Sequence, residues 1–453
     1  MNIRELLQKA GIKAEEQEIH DFLKYSEICM SEFFKEKWDM FKQEQFFSMQ
    51  VKGRQIQLPN GKKDKPYSAA FNIDSIGLPD VESFEFENLP EGIVFSEEEG
   101  VISGVPTLAG DYKITLRCVG KQGHKAEKEL LFIVLPDPKD LWKNIPTSTD
   151  IEYYKRDSDC KFLKVETENA IARKNIVAAS QRGRSHAIEG KPRDDDFALY
   201  FDEQSEWYIM AVADGAGSAE YSRRGSQIAC QTAVEVCKKE LAGAGDVLEE
   251  QIKLYWDKKN EERKDVYEFL HRIVGKAAFE AYKKIGEEAA AKQRVPKEYA
   301  TTLLLSICKK FEFGWFVGAF WVGDGGIGIY PKEPEKLKVL GKPDGGEFAG
   351  QTRFLTMPEI FSDRVRTCFE IVDDFTALIL MTDGVTDPKF ETDANLNRFE
   401  KWNTLWNDLN GNNEDNVKVD FSDNSEQSAE QLLKWLDFWS KGNHDDRTIA
   451  ILF

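Results

Sequence analysis

Apolar stretches that end abruptly in Asp-Gly most constrain how this chain can fold. The run Trp207–Val212 leads through Ala213 into the first such step, at residues 214–215, and two later apolar runs end at 324–325 and 383–384. A buried strand of this kind delivers a carboxylate to the end of a sheet, and the glycine behind it lets the backbone turn sharply. The sequence therefore predicts that several strands bring aspartates to sheet ends.

Further aspartates stand beside other predicted strands. Three in a row occupy residues 194–196, and Asp445 and Asp446 precede the closing strand RTIAILF. Carboxylates gathered near an apolar core cost free energy unless a cation neutralises them, so the pattern favours a Mg²⁺ or Mn²⁺ site. Asp-Gly is also the commonest hairpin signal, so a purely structural role stays open for any single step.

Charge and cysteine usage exclude several classes of function. The formal net charge is −19 at pH 7, and such a surface repels nucleic acid and anionic membranes. The seven cysteines are dispersed without a Cys-x-x-Cys pair, which indicates a reducing cytosol. The first residues lack the apolar core of a signal peptide, and no apolar run reaches membrane-spanning length. We therefore expect a cytoplasmic protein with no nucleic-acid or membrane partner.

Residues 1–48 are predicted to form a helical segment, because apolar side chains, many of them aromatic, recur at mostly helical spacing. We expect an amphipathic helix or helix pair docked on the rest of the chain, with a partner-binding arm as the alternative.

Residues 50–136 show short alternating stretches between Gly and Pro residues, which predicts a small β-sandwich. Within them, Gly-x-Ile-Ser-Gly-x-Pro-Thr-x-x-Gly runs from Gly100 to Gly110 and is followed by Asp-Tyr and an alternating strand. This stretch resembles the immunoglobulin-like, cadherin-like modules of bacterial proteins. The resemblance implies a module that binds partners or spaces domains.

A linker rich in proline and polar residues is predicted at 137–158, and residues 159–453 form the candidate catalytic domain. In this domain, predicted strands interleave with two long predicted helices, at 217–241 and 263–292. A polar stretch at 392–440 is predicted to be a helical insertion. The order of elements predicts an α+β fold with helices packed on β-sheets.

Seven motifs follow one another in the region 165–453. They are SQRGRSHAIEGKPRDDDFAL, AVADGAGSAEYSRRGSQIAC, YATTLL, WVGDGGIGIY, GEFAGQTRFLT, ILMTDGVTD and HDDRTIAILF. Together and in this order they resemble the metal-dependent type 2C protein phosphatases, in particular a bacterial branch with a Gly-x-x-His motif. The resemblance implies a central β-sandwich flanked by helices, with two or three Mn²⁺ or Mg²⁺ ions at one edge. The small all-β module and the helical segment would precede it.

The resemblance also assigns the metal ligands. For the first ion they are expected to be Asp214, Asp383 and Asp445, and for the second Asp214, Asp194 and Asp195, with the carbonyl of Gly215 bound to one of these two ions. A third, weaker ion is expected at Asp324 and Asp387. Asp214 would bridge the first two ions, and Asp195 would bind through water.

Two departures from the family pattern concern the substrate phosphate. The family usually carries an arginine that grips the phosphate shortly before the acidic pair, and here His186 stands near that place with Arg182 and Arg184 beside it. We expect these three residues to bind phosphate. Some members carry a histidine as candidate general acid where this chain has Ala216. Here the acid would be His186, a metal-bound water or solvent, and His186 and Asp214 are the expected catalytic residues.

These expectations converge on hydrolysis of phosphoserine and phosphothreonine in proteins. Two cations bridged by a carboxylate lower the pKa of a shared water, supply hydroxide near neutral pH and neutralise the approaching phosphate. The expected partners are a phosphoprotein substrate and a cognate Ser/Thr kinase or its targets. The alternatives are a catalytically weak phosphoprotein-binding scaffold, or an adhesion or interaction protein acting through the immunoglobulin-like module.

Overall fold

The structure is a computed structural model that describes residues 3–78, 80–165, 173–258, 263–344, 352–362, 364–422 and 426–453. The chain divides into two compact units, residues 1–141 and 142–453. Within the described ranges, no helix is both long enough and apolar enough to cross a lipid bilayer. The domain bounds expected from the sequence stay a prediction.

The first unit begins with helices and continues with short strands. Its elements are α1 (Ile3–Lys9), α2 (Glu16–Gly53), β1 (Gly61–Lys62), β2 (Tyr67–Ala70), β3 (Val81–Glu87), β4 (Ile93–Ser96), β5 (Val101–Gly104), β6 (Gly110–Gly120) and β7 (Lys125–Leu135). The described strands form one sheet in the order β1-β7-β6-β3 and another in the order β2-β5-β4. Apolar side chains from both sheets meet in one core, among them Ile102 and Phe132.

The glycine-rich motif of this unit has a backbone reason. Gly104 has a φ of +140°, and a Cβ there would lie 2.0 Å from the carbonyl oxygen of Gly92. Only glycine permits this conformation and this close approach. The predicted β-rich region of residues 50–136 is therefore confirmed, while its immunoglobulin-like character stays a prediction.

Helix α2 confirms the predicted helical segment. It runs five residues beyond the predicted end, to Gly53, and its buried side chains are Phe47 and Val51, which join the core of the two small sheets. Many of its other large apolar side chains are exposed. Within its own unit the helix therefore packs through its last turns, and its docking on the rest of the chain stays a prediction.

The second unit alternates strands and helices. Its elements are β8 (Ser158–Leu163), β9 (Ile176–Gln181), α3 (Arg184–Ala187), β10 (Asp196–Phe201), β11 (Tyr208–Ala213), α4 (Ser222–Lys258), α5 (Arg263–Leu270), α6 (Lys276–Ala291), β12 (Leu303–Phe311), β13 (Gly314–Val322), β14 (Gly326–Tyr330), β15 (Lys338–Val339), β16 (Thr367–Val372), β17 (Ala377–Met381), α7 (Asp383–Phe390), α8 (Phe399–Leu409), α9 (Ser428–Leu436) and β18 (Arg447–Leu452).

Two sheets form the centre of this unit. In the described part of the chain, one has the strand order β10-β11-β12-β13-β16 and the other β15-β14-β17-β18-β9-β8. Successive residues of a strand point to opposite faces. In β11, Tyr208 and Met210 accordingly pack between the sheets with Leu380 of β17, whereas Ile209 and Ala211 pack against the helices α4–α6.

The opposite face of the six-stranded sheet is covered by α7, α8 and α9, where Trp402 and Trp435 are fully buried. The predicted α+β fold, a central β-sandwich flanked by helices, is therefore confirmed.

Helix bounds differ from the sequence-based ones in informative ways. Helix α4 begins at Ser222 rather than 217 and runs on to Lys258, because Leu241, Leu248 and Ile252 continue its buried row at spacings of whole turns. The predicted helix at 263–292 consists of α5 and α6 joined by a π-helical turn, His271–Gly275.

Candidate active site

The register of the strands brings the aspartates to one edge of the sandwich. Strand β17 pairs antiparallel with β18, so the end of β17 and the start of β18 lie side by side. Strands β10 and β11 are related in the same way, since Asp196 pairs with Ala213. One carboxylate oxygen from each of Asp214, Asp324 and Asp383 lies within 4.8 Å of the others. The aspartates of the three Asp-Gly steps thus form one cluster. The resemblance had assigned Asp324 to a different ion from the one shared by Asp214 and Asp383, and the structure brings all three carboxylates together.

Two of the glycines allow the loops of this edge to interlock. A Cβ on Gly384 would lie 1.9 Å from the carbonyl oxygen of Asp446, and one on Gly215 would lie 2.7 Å from that of Asp194. Each glycine therefore sits where the backbone of another acidic loop crosses, which explains why the pattern is Asp-Gly rather than Asp followed by another residue.

Neighbouring threonines fix the central carboxylates. Both Thr382 and Thr448 donate a hydroxyl hydrogen bond to Asp195 Oδ2, at 2.9 and 2.8 Å. The backbone of Asp214 exchanges hydrogen bonds with Thr302: Asp214 N–H donates to the Thr302 hydroxyl, and Thr302 N–H donates to the Asp214 carbonyl, both at 2.8 Å. These contacts hold the carboxylates in a defined geometry without neutralising their charge.

Several carboxylate oxygens of the cluster are buried without a hydrogen-bond partner among the described residues. They are Asp194 Oδ1, Asp195 Oδ1, Asp324 Oδ1 and Asp383 Oδ1. A buried polar oxygen that accepts nothing costs free energy, whereas hard cations such as Mn²⁺ and Mg²⁺ take carboxylate oxygens as ligands. The donor set therefore fits a hard divalent cation.

Burial and mutual repulsion raise the pKa values of these groups. Burial first, and then the charge of Asp383, raises the pKa of Asp214 well above its usual range. The pKa of Asp383 is raised likewise by burial and by Asp324, and the pKa of Asp195 reaches about 7 through burial and Asp446. The pKa values of Asp387 and Asp445 are also raised, mainly by burial. A cation that prefers the ionised form would bind in competition with protons.

Asp446 is a functional residue that the sequence-based ligand set omitted. It accepts hydrogen bonds from the backbone N–H groups of Gly183 and Asp194, and its Oδ2 lies 3.1 Å from His186 Nδ1. Burial would raise the pKa of Asp446, but the hydrogen bond with His186, the charge of His186 and the two backbone N–H groups together outweigh burial and hold that pKa below its usual value. Its place beside Asp445 at the start of a strand was a usable signal, because adjacent residues there face different loops.

His186 lies between two carboxylates. Its Nε2 is 3.8 Å from Asp194 Oδ2, opposite the Nδ1 contact with Asp446. Burial lowers the pKa of His186, but the hydrogen bond to Asp446 and the surrounding charges raise it further, to about 9. The ring is therefore protonated at neutral pH and is 8% exposed.

Comparison of the sequence with models of known protein families identifies one family. The family model for protein phosphatase 2C matches residues 182–437, more than half of the chain. The chain belongs to the protein phosphatase 2C family. Comparison with curated protein sequences gives no significant match.

Solved phosphatase structures are similar at low sequence identity. A bacterial serine phosphatase is 11% identical, with a TM-score of 0.36. The match covers 62% of the present chain and 97% of the chain of that phosphatase. The serine/threonine phosphatase Stp1 from Staphylococcus aureus is 12% identical, with a TM-score of 0.34 and coverage of 67% and 98%. PppA from Pseudomonas aeruginosa is 13% identical, with a TM-score of 0.36 and coverage of 63% and 100%.

The two arginines expected to bind phosphate in this phosphatase 2C domain are engaged elsewhere. The guanidinium of Arg182, its side chain 2% exposed, binds Asp157 and donates to Thr147 and to Asn144 at 2.6 Å each. Arg184 pairs with Asp437 at 2.6 Å. Their expected contact with the substrate phosphate stays a prediction.

Residues 142–157, expected to be part of a linker, pack on the acidic loops. Lys155 is buried, and its Nζ donates to the carbonyl of Asp195 and to the hydroxyl of Ser226, both at 3.0 Å, and lies 2.9 Å from Asp196 Oδ2. The N–H of Ile145 donates to the carbonyl of Ala187 at 2.8 Å. The segment therefore holds the backbone within the acidic run 194–196 and before it, at Ala187.

A cleft of about 460 Å³ adjoins the cluster at Asp194. Its walls include Glu152, Lys191, residues 217–221 and Arg223. Of the motif GEFAGQTRFLT, residues 346–356, the part 346–351 lies outside the described residues, and Thr352 donates a hydrogen bond to Asp324 Oδ2. The acidic cluster thus lies next to a surface depression that both polar and apolar side chains line.

Proposed function

We propose that this chain is a metal-dependent phosphoprotein phosphatase that hydrolyses phosphoserine and phosphothreonine. The observation that carries the proposal is the convergence of Asp214, Asp324 and Asp383, with buried carboxylate oxygens that lack hydrogen-bond partners among the described residues. Membership of the protein phosphatase 2C family, whose members are metal-dependent, supports it.

The ligands would be those of the family pattern. They are Asp214, Asp383 and Asp445 for one ion and Asp214, Asp194 and Asp195 for a second, with the Gly215 carbonyl bound to one of the two. Asp324 and Asp387 would hold a third, weaker ion. When bound, Mn²⁺ or Mg²⁺ lowers the pKa of water and offsets the negative charge of the phosphate. Asp214 stands at the centre of this proposal because its carboxylate interacts with those of both Asp195 and Asp383.

We assign Asp446 and His186 to positioning. Asp446 joins the loop at Gly183 to the loop at Asp194 through two backbone N–H groups, and His186 supplies the counter-charge that keeps Asp446 ionised. This contact uses one ring nitrogen of His186, and the other faces Asp194. A direct role as general acid would require His186 to leave these contacts, so the leaving group's proton would come from solvent.

The substrate would enter by the cleft at Asp194. A cavity of about 540 Å³ lined by His271, Lys276 and Phe279 includes none of the expected metal ligands in its lining, so the smaller cleft is the better candidate. A phosphorylated side chain would reach the cluster across residues 217–221. The identity of the phosphoprotein and of a cognate kinase stays a prediction.

Mn²⁺-dependent hydrolysis of an aryl phosphate and of a phosphoserine peptide by the full chain tests the proposal. We expect Asp214→Asn to lower kcat/KM by roughly 10³-fold or more, because metal catalysis contributes several kcal/mol. Calorimetry should show Mn²⁺ binding lost in the same variant. The matched control is Asp246→Asn, at an exposed position of α4, which should behave as the unsubstituted chain.

Mn²⁺ binding without hydrolysis of either substrate would instead identify a phosphoprotein-binding scaffold. Unchanged Mn²⁺ binding in Asp214→Asn would contradict the ligand assignment itself.

A further inference from the structure

Helix α2 carries an apolar stripe, interrupted by Ser26, Lys37 and Glu44, that is covered only at its C-terminal end. The stripe consists of Phe22, Leu23, Met30, Phe33, Phe34, Met40 and Phe41, followed by Phe47 and Val51. The stripe passes from Leu23 to Met30, then to Phe34 and then to Phe41. These steps of seven, four and seven residues return to one face of a helix. Phe47 and Val51 are buried in the core of the small sheets, whereas the seven preceding members are 38% to 62% exposed.

The exposed part of the stripe is large enough for a stable interface. An aromatic side chain can bury about 150–250 Å², so seven half-exposed residues offer roughly 700 Å². A standard protein interface buries about 800 Å² per partner, and charged side chains flanking the stripe would supply the rest. Isolated exposed apolar residues need no explanation, but a stripe of this size marks an interaction site.

The stripe has the same pattern when the chain direction is reversed. Phe22 and Phe41 lie at equal distances from the Ser31–Glu32 peptide bond, as do Leu23 and Met40. Met30 and Phe33 form the innermost such pair. A two-fold symmetric contact requires a surface that is complementary to its own rotated copy, and an antiparallel pair of identical helices requires this reversal symmetry.

The charge of α2 excludes two other partners for the stripe, a parallel copy of the same helix and an anionic lipid surface. The first half of α2, residues 16–34, has five acidic residues and one lysine, a formal charge of −4, whereas the second half, 35–53, has four lysines and three acidic residues, +1. A parallel pair would place the two acidic halves together, and an antiparallel pair does not. The helix as a whole is acidic, and anionic lipid surfaces attract basic helices.

The covered end of the stripe fits the same arrangement. Because Phe47 and Val51 are held by the helix's own β-rich core, a parallel partner would bring two such cores to one end of the pair. In an antiparallel pair they lie at opposite ends, and the open stretch from Phe22 to Phe41 spans about 30 Å.

We propose that the chain forms a homodimer in which α2 packs antiparallel against α2 of a second copy, centred at Ser31–Glu32. This pairing places Phe22 opposite the partner's Phe41 and Met30 opposite the partner's Phe33. It does not depend on phosphatase activity.

Sedimentation velocity of the full chain tests the pairing. We expect a dimer for the unsubstituted chain, and for Phe33→Glu a dissociation constant raised roughly 100-fold or more, because two buried carboxylates enter the interface. The matched control is Ile28→Glu, on the same helix and similarly exposed but on the opposite face, which should remain dimeric. Circular dichroism checks that each variant is folded.

Cysteine cross-linking tests the orientation independently of Phe33. Cys29 is exposed, and in the proposed pair it faces the partner's Phe34. The two Cys29 residues would be about 7.5 Å apart along the axis in addition to the distance between the helices, beyond disulfide reach. Mild oxidation should therefore link Phe34→Cys dimers through residues 29 and 34, but neither the unsubstituted chain nor the double variant Phe34→Cys, Cys29→Ser.

A Cys29–Cys29 disulfide in the unsubstituted chain would overturn the antiparallel orientation. A monomer at micromolar concentration would overturn the dimer, and protection of α2 from hydrogen exchange in that monomer would identify an intramolecular surface as its cover.

Discussion

Two segments that precede the phosphatase fold are buried to an extent opposite to the one that their composition predicts. Residues 142–157 are largely polar, yet they supply buried contacts to the active-site loops through Lys155 and through the partners of Arg182. Helix α2 is rich in aromatic residues, yet most of its apolar stripe is exposed.

The difference shows that available partners, rather than polarity alone, decide which segment is buried. Lys155 can be buried because three oxygen atoms surround its ammonium group, and hydrogen-bonded charges tolerate burial. The aromatic side chains of α2 gain nothing from hydrogen bonds and need an apolar surface, which its own unit supplies only to Phe47 and Val51.

The largest expected effect is a difference in activity between two truncated fragments. A fragment of residues 142–453 should retain the activity of the full chain, whereas a fragment of residues 159–453 should lose most of it. The shorter fragment leaves the buried guanidinium of Arg182 without Asp157, Thr147 and Asn144, and breaking a buried pair costs about 3–5 kcal/mol. Aryl phosphate hydrolysis and thermal unfolding of both fragments measure this, and equal activity would show that residues 142–157 are only a tether.

A smaller loss is expected from the single substitution Lys155→Met. It removes the ammonium group from Asp195, Asp196 and Ser226 while keeping the length of the side chain, and should lower the free energy of unfolding by roughly 2–4 kcal/mol. Because Asp195 belongs to the expected ligand set, Mn²⁺ affinity should fall as well. Urea unfolding and Mn²⁺ titration measure the two effects. Lys161→Met, at an exposed position of β8, serves as the matched control and should change neither quantity.

The smallest expected effect concerns His186 in the loop that the segment holds. Its pKa in the folded chain is about 9, above the reference value of about 6.5, so its contribution to stability is fully present below pH 6.5 and is lost as the pH rises through 9. In metal-free protein, His186→Asn should therefore lower the free energy of unfolding by up to about 3 kcal/mol at pH 6 and by much less at pH 10.

Urea unfolding at both pH values measures this dependence. His20→Asn, at an exposed position of α2, is the control and should leave the free energy of unfolding unchanged at both pH values. A loss in His186→Asn that is the same at pH 6 and pH 10 would mean that packing, and not charge, is what His186 contributes.

The sequence was sufficient to predict those features that depend on local pattern. Asp214, Asp324 and Asp383 were identified because each follows an apolar strand directly, and the strand register then brings their carboxylates within 4.8 Å of one another. The two-layer arrangement followed from strands interleaved with helices, since each strand needs an apolar layer on both faces.

Features that depend on distant pairings could not be predicted. Lys155 precedes Asp195 by forty residues, and no periodicity connects them. Arg182 was assigned to phosphate from its position before the acidic run, but the partners that engage it lie in the segment at 144–157. The place of Asp446 beside Asp445 marked it as a candidate, but its partners at Gly183, His186 and Asp194 are distant in the chain and could not be predicted.

The close crossing of the acidic loops separates the parts of the catalytic domain that can evolve freely from those that cannot. At Gly384 and Gly215 the backbone of one loop occupies the space that a side chain on the other would need, so no single loop can move without displacing its neighbour. The walls of the adjoining cleft, residues 217–221 and Glu152, lie outside these crossings. In the proposed phosphatase, new substrate preferences would therefore arise by exchanging wall residues one at a time, with the acidic cluster left unchanged.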